Sequence, residues 1–201
     1  LRERGLITQG PHPVGWCPND MGPVGQHDTQ GDKDPEVGEY FVIKFESEGT
    51  YYPTATLRPE TVFGVTNLWV NPHATYVKAN VDGEAWIISR EAAEKLRHQK
   101  RMVQAVEEVT GKELLWKVVY NPATKASIPI LPGEFVATGN GTGVVMSVPA
   151  HAPYDYQALV DLKTRSGTDP EVAEKIGRVE PLPIIRLEGW SAVPAADAVA
   201  Q

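Results

Sequence analysis

The sequence predicts a mixed α/β domain whose core is a β-barrel or strongly bent sheet, with helices around it. Three observations carry this. Short β-rich runs such as "EYFVIKFES" and "GVVMSV" recur along most of the chain, several of them bounded by Asn-Pro or Asp-Gly turns. Helical stretches are few and scattered between these runs. The regular strand–helix alternation of a doubly wound sheet is missing, and no internal repeat is visible.

Residues 1–38 carry little period of either kind. Their stretch "GPHPVGWCPNDMGPVGQHDTQGDKDPEVG" is crowded with Gly, Pro, Asp and Asn, and is expected to be an irregular segment that leans on something else. From residue 39 the texture changes. "EYFVIKFES" alternates and reads as a strand, "TYYPTATL" is a second β-rich run stopped by Pro59, and "NLWVNP", "TYVKANVDG" and "EAWIIS" are further short strands. Ser89 then caps a helix, "REAAEKLRHQKRM", with Glu91 and Glu94 early and Arg97 to Arg101 late, as the helix dipole prefers. A second short helix is expected around Val103 to Val109, followed by strands at "ELLWKVVY", "ASIPIL", "GEFVAT" and "GVVMSV". A helix follows Pro153 and another covers "PEVAEKIG". A final strand, "PIIRLE", closes a main body spanning 39–190, and the Ala-rich 191–201 is expected to be a loose tail.

Composition narrows the function classes. No run approaches the ~18 apolar residues of a membrane span, and no charged-then-apolar leader suggests export. The single cysteine, Cys17, rules out an intrachain disulfide and makes a reducing compartment the default. A formal charge of −7 argues against a long generic nucleic-acid groove, because such grooves neutralise phosphates with Lys and Arg. It leaves room for a small site holding one nucleic-acid terminus. The chain opens "LRERGLITQG" and reads as a piece of a longer protein.

Four stretches carry candidate chemistry. "GNGTGVV" runs into a β-branched strand rather than a helix and lacks the Lys-Ser or Lys-Thr of a phosphate loop. Gly139, Gly141 and Gly143 therefore serve either as plain turn residues or to let backbone pass close to a ligand. His12, Cys17, Asp20, His27 and Asp28 are zinc-ligand types without the paired spacing that fixes a tetrahedral site. In "TLRPETVFG", Pro59 marks a strand giving way to a helical turn. Thr56 and Thr61 then set hydroxyls near unpaired amides beside Arg58, forming either a polar pocket or a capped helix start. In "VPAHAPYD", Pro153 keeps His151 off the following helix, so His151 and Asp155 need not share a helical face. Asp155 falls at about the third helical position, where the positive helix end is expected to keep it ionised. Such a carboxylate either anchors an ammonium ligand or merely complements the dipole.

Taken together, "TLRPETVFGVTNLWVNP" and "GTGVVMSVPAHAPYDYQAL" resemble the editing domain of leucyl-tRNA synthetases, most of all the archaeal and eukaryotic branch. "HPVGWCPNDMGPVGQHD" and "PIIRLEGW" fit the same branch, so the resemblance runs through most of the chain. The Thr-rich and "GTG…PAH…D" segments are shared in outline with valyl- and isoleucyl-tRNA synthetase editing domains, whereas "VVMSVPAHAPYDY" points to the leucyl enzyme.

The resemblance implies a β-barrel with surrounding helices inserted in the catalytic core of a class I synthetase, with residues 1–38 linking to that core. It implies hydrolysis of the ester in tRNA(Leu) mischarged with isoleucine, norvaline or methionine, with leucyl-tRNA(Leu) spared. The partners are the 3′-terminal aminoacyl-adenosine of tRNA(Leu) and the rest of the parent synthetase, in the cytoplasm and with no membrane. No metal and no cofactor are expected for editing, ATP being used only at the parent's synthetic site. By matching positions, Asp155 binds the substrate α-ammonium, Thr61 blocks the leucine γ-methyl, and Thr56 and Arg58 hold the terminal adenosine and ester. Asp155 and Thr56 stand closest to the chemistry. Met146 and Val148 line the side-chain pocket or adenine site, and His151 stands behind the residues that touch substrate. Leu57 lies in the same substrate-binding strip, but where bacterial members carry a second Thr. Ala152 and Tyr154 replace a bacterial Asp and Arg, so contacts through those groups do not transfer. The competing readings are a non-catalytic module docking the tRNA end or a small adenylate, a valyl- or isoleucyl-type editing domain, and a zinc hydrolase using His12, Cys17 and His27.

Overall fold

The computed structural model describes residues 1–10, 14–17, 19–31, 38–165, 170–186 and 188–199. It divides into two units, Leu1–Tyr40 and Phe41–Gln201. In the first, β1 (Gly15–Cys17) and β2 (Gly22–Val24) pair antiparallel, with Met21 in the left-handed region at φ 51 just before β2. A segment expected to be irregular thus contains a small hairpin.

The second unit is built on one nine-stranded sheet. Its strands are β3 (Phe41–Ser47), β4 (Thr50–Thr56), β5 (Asn67–Val70), β6 (Thr75–Val81), β7 (Glu84–Ser89), β8 (Val103–Thr110), β9 (Val118–Tyr120), β10 (Ser127–Pro132) and β11 (Val145–Ser147). Their spatial order is β11-β5-β10-β9-β3-β4-β7-β6-β8. β11 and β8 are the edges, so the expected barrel is not closed: the structure is the bent-sheet alternative with helices packed on it. The β3–β4 and β6–β7 hairpins turn through Glu48-Gly49 (φ 50 and 75) and Asp82-Gly83 (φ 52 and 94). Positive φ at both central residues matches the right-handed twist of the flanking strands. The pairings β4–β7 and β5–β10 are parallel.

Alternation along β5 divides the core. Leu68 and Val70 face a cluster containing Phe45, Tyr76, Ile130, Met146 and Val148, while Trp69 faces a second cluster with Leu131, Leu159 and Ile176. That second cluster is contributed partly by α3 (Pro153–Arg165) and α4 (Pro170–Gly177). A third cluster seats Ala92 and Ala93 of α1 (Arg90–His98) on Val77, Trp86 and Ile88. Ser89 caps α1 as expected, its Oγ accepting the Ala92 amide at 3.1 Å. The helix ends sooner than expected, at His98, with Lys100 at φ 63 turning the chain away.

Five elements differ from the sequence reading. Val103–Thr110 is the edge strand β8 rather than a helix. It pairs along β6 with most of its side chains exposed, so solvent exposure on both faces erased the period-2 signal. "ELLWKVVY" divides into the last residues of α2 (Gly111–Leu114) and strand β9, with Trp116 at φ 67 between them. Thr110 and Glu113 form a capping box that starts the α2 turn. Residues 133–138 hold turns and irregular backbone rather than a strand, and 181–186 have no regular secondary structure; Leu187 lies outside the described residues. In the expected loose tail, α5 (Pro194–Val199) buries Pro194 and Ala195, and the Ala195 amide donates to the Ala150 carbonyl at 3.1 Å.

Candidate active site

Two strand ends build the site. After β4, Thr56 to Gly64 turn into a 3-10 helix over Pro59–Gly64, with Pro59 at its first position. Thr56 Oγ1 accepts the Arg58 amide at 3.1 Å. Thr61 Oγ1 donates to the Arg58 carbonyl at 2.7 Å, and the Thr61 amide donates to the same oxygen at 3.1 Å. The turn therefore locks both hydroxyls. Thr56 meets an amide as expected, whereas Thr61 bonds a carbonyl instead. Thr56 and Thr61 are half-buried, while Leu57 and Arg58 are exposed. From below, the buried Asn121 side chain donates to the Val62 carbonyl at 2.8 Å and pins the turn.

The second strand end is that of β11. Its neighbour Val148 joins the two motifs. A Cβ on Gly64 would stand 3.1 Å from Val148 Cγ1, so the last residue of the Thr-rich turn rests on this side chain. The Val148 carbonyl accepts the His151 and Ala152 amides at 3.0 and 2.9 Å, and its own amide donates to Asp155 Oδ2 at 2.8 Å. Met146 and Val148 share a face, as strand alternation requires, and both are buried in the core cluster beneath the turn. The resemblance has them line the side-chain pocket or the adenine site; in the structure both are buried core residues.

Asp155 is the third residue of α3, as expected, and half-buried. Burial pushes the carboxyl up from its ordinary value, opposed first by the Val148 amide and then by the Trp69 indole, which donates to Oδ1 at 3.2 Å. Desolvation penalises the charged form, and here it exceeds what the two hydrogen bonds return. Trp69 is the contributor that sequence reasoning missed. A fully buried Trp carries an N–H that needs an acceptor, but only the structure shows that Trp69 is buried and which acceptor it finds. His151 precedes the helix, as expected. Its Nε2 accepts the Ile184 amide at 2.9 Å, which ties the irregular 181–186 segment beside the site.

The glycine loop serves the scaffold. Gly143, at φ 78, lies against Ser89, and its carbonyl accepts the buried Tyr76 hydroxyl at 2.9 Å. Burial, first among the causes, pushes that phenol up to about 12. Gly141, at φ 54, lies against Ala55, whereas Gly139 faces open space. Cys17 Sγ donates to Asp20 Oδ2 at 3.2 Å. Among the described residues no three His, Cys, Asp or Glu side chains cluster as metal ligands, and His12 lies outside those residues. A cavity of about 450 Å³ lies further along α3, lined by residues including Phe135, Tyr154, Asp161 and Arg165, and includes neither Asp155 nor the two threonines. Among the described residues no helix is long and apolar enough to cross a membrane.

Solved structures share this open-sheet fold. A crystal structure named GlLeuRS-CP1 is 30% identical, with a TM-score of 0.68 over 79% of this chain and 75% of that one. The P. knowlesi cytosolic leucyl-tRNA synthetase editing domain shares the fold at 16% identity, TM-score 0.65, over 75% of this chain and 72% of that one. The family model for the leucyl-tRNA synthetase editing domain matches residues 36–168, and the chain belongs to that family. Archaeal relatives agree. Leucine–tRNA ligase of Pyrobaculum neutrophilum is 49% identical over 99% of this chain and 20% of its own length, and that of Methanocaldococcus jannaschii is 47% identical over 99% and 21%. The chain thus spans about a fifth of the length of these relatives.

Proposed function

We propose that this domain performs post-transfer editing in the cytoplasm. It hydrolyses the ester of tRNA(Leu) mischarged with isoleucine, norvaline or methionine and spares leucyl-tRNA(Leu). The observation that carries the reading is the junction at Val148, which sets the Asp155 carboxylate and the locked Thr56–Thr61 turn on either side of one residue. A second site of this kind is needed because one methylene changes binding by only about 1–3 kcal/mol, too little for accurate translation.

Asp155 receives the substrate's α-ammonium. Thr56, whose hydroxyl accepts the Arg58 amide, keeps its own O–H for an oxygen of the terminal adenosine or ester, with the exposed Arg58 beside it. Leu57, also exposed, adds apolar surface to that strip. Thr61 stands as the gate against the leucine γ-methyl, held in one rotamer by its bond to the Arg58 carbonyl. Met146 and Val148 support the turn from beneath, and His151 holds the flanking segment. Water attacks the ester carbonyl, the C–O bond to the ribose breaks, and a free amino acid and a ribose hydroxyl result. Positioning and stabilisation of the oxyanion by backbone amides and the neighbouring ribose hydroxyl supply the acceleration. No cofactor enters this reading. ATP belongs to the parent's synthetic site, and the parent supplies the remaining tRNA contacts.

The test is a deacylation time course on isoleucyl- and leucyl-tRNA(Leu), with protein in excess, comparing wild type and Asp155→Ala. Loss of the isoleucyl ester alone, and only with Asp155 present, is expected. Survival of both esters with wild type, and again with the full-length parent synthetase, would sink the hydrolase in favour of a binding module.

A further inference from the structure

We infer that Trp69 is a positioning residue for the ammonium-binding carboxylate, acting through the bond from its indole N–H to Asp155. The inference rests on the editing function proposed above and adds a residue to it.

Asp155 and Trp69 are 86 residues apart in sequence, yet the indole Nε1 stands 3.2 Å from Oδ1 while the Val148 amide stands 2.8 Å from Oδ2. Each carboxylate oxygen thus takes one donor, and the two donors come from neighbouring strands, β5 and the end of β11. A carboxylate offers about four lone-pair sites. Two fixed donors set the plane of the group and leave the remaining lone pairs for a third partner. An indole N–H can only donate, so this bond strengthens as the carboxylate becomes anionic.

Trp69 is itself immobilised. It is fully buried on a strand buried on both faces, and its ring meets Phe135 edge-on at 5.5 Å between centroids. Phe135 in turn meets Tyr154 at 5.1 Å, and Tyr154 immediately precedes Asp155. Edge-on ring contacts thus run from Trp69 through Phe135 to Tyr154 at the start of α3, while the indole N–H bonds the neighbouring carboxylate. Without that donor, Oδ1 is free to swing, and the lone pairs offered to a ligand lose their fixed direction.

The test compares two non-hydrolysable probes on the 201-residue chain. One is adenosine carrying norvaline through an amide at the ribose, and the other is its analogue lacking the α-amino group. Wild type is expected to prefer the ammonium-bearing probe. Trp69→Phe keeps the ring and removes the donor. It is expected to shrink that preference about tenfold, the scale of a lost hydrogen bond to a charged group, with affinity for the des-amino probe unchanged. Equal weakening of both probes, or an unchanged ratio, would overturn the inference. Should Trp69→Phe fail to fold, the Trp69 indole N–H resonance of wild type gives the answer. It is expected to shift with the ammonium probe and stay with the des-amino one, and no difference between the two would overturn the inference. The wild-type ratio and its deacylation of isoleucyl-tRNA(Leu) report on the editing function. The variant ratio reports on Trp69 alone.

Discussion

The carboxyl of Asp155 is pushed up by burial more than the Val148 and Trp69 hydrogen bonds pull it down. Only the ionised form holds an ammonium. As pH falls through the raised pKa, the anchor is therefore lost sooner than an ordinary Asp, at about 3.9, would lose it. The acid limb of kcat/KM for isoleucyl-tRNA(Leu) is expected to lie above that value, and a pH–rate profile still flat at pH ~4 would contradict it. Thr61 supplies a second prediction at this scale. Its hydroxyl is tied to the Arg58 carbonyl, which holds the side chain in one rotamer, as the proposed steric gate requires. Thr61→Ala is expected to expose leucyl-tRNA(Leu) to hydrolysis with little loss on the isoleucyl ester, and continued sparing of leucine would refute the gate. The position of Asp155 on its helix was legible from Pro153, and the capping role of Ser89 from its place before a helical run. The ionisation of Asp155 was not, because the sequence shows the helix end and hides the buried surroundings. The indole bond across 86 residues was equally hidden.

At the scale of elements, close packing places the strongest demands on the glycine loop before β11. A Cβ on Gly143 would stand 2.6 Å from Ser89 Cβ, in a backbone conformation at φ 78 that side chains rarely adopt. Ser89 cannot give way, since its Oγ caps α1 and donates to the Thr138 carbonyl at 2.8 Å. Gly143→Ala is expected to cost about 2–4 kcal/mol, combining strain at positive φ with overpacking. Urea unfolding measures it. Hairpins were legible where the turn chemistry is local: Asp82-Gly83 announces its own turn. Strand β8 was not, because Gln104 to Glu108 are exposed on both faces of an edge strand and show no inward-facing period. "PIIRLE" erred the other way. Its apolar residues suggested a strand, yet Ile184 gives its amide to His151 instead of to a neighbouring strand.

For the molecule as a whole, the topology links remote parts of the chain. β5 is flanked by β10 and β11, each more than fifty residues later in sequence, while the β3–β4 and β6–β7 hairpins close locally. Long-range pairings form late because loop closure is costly before any contact rewards it. On dilution from urea, the hairpins are expected to recover their circular dichroism before hydrolysis of isoleucyl-tRNA(Leu) returns. Simultaneous recovery would show that the two strand ends meet early. The meeting at Val148 then has a temporal meaning as well as a spatial one. The Thr-rich turn is synthesised long before its carboxylate partner, and neither can handle an ester alone. In the proposed editing reaction, hydrolysis is expected to begin only once β11 has joined β5.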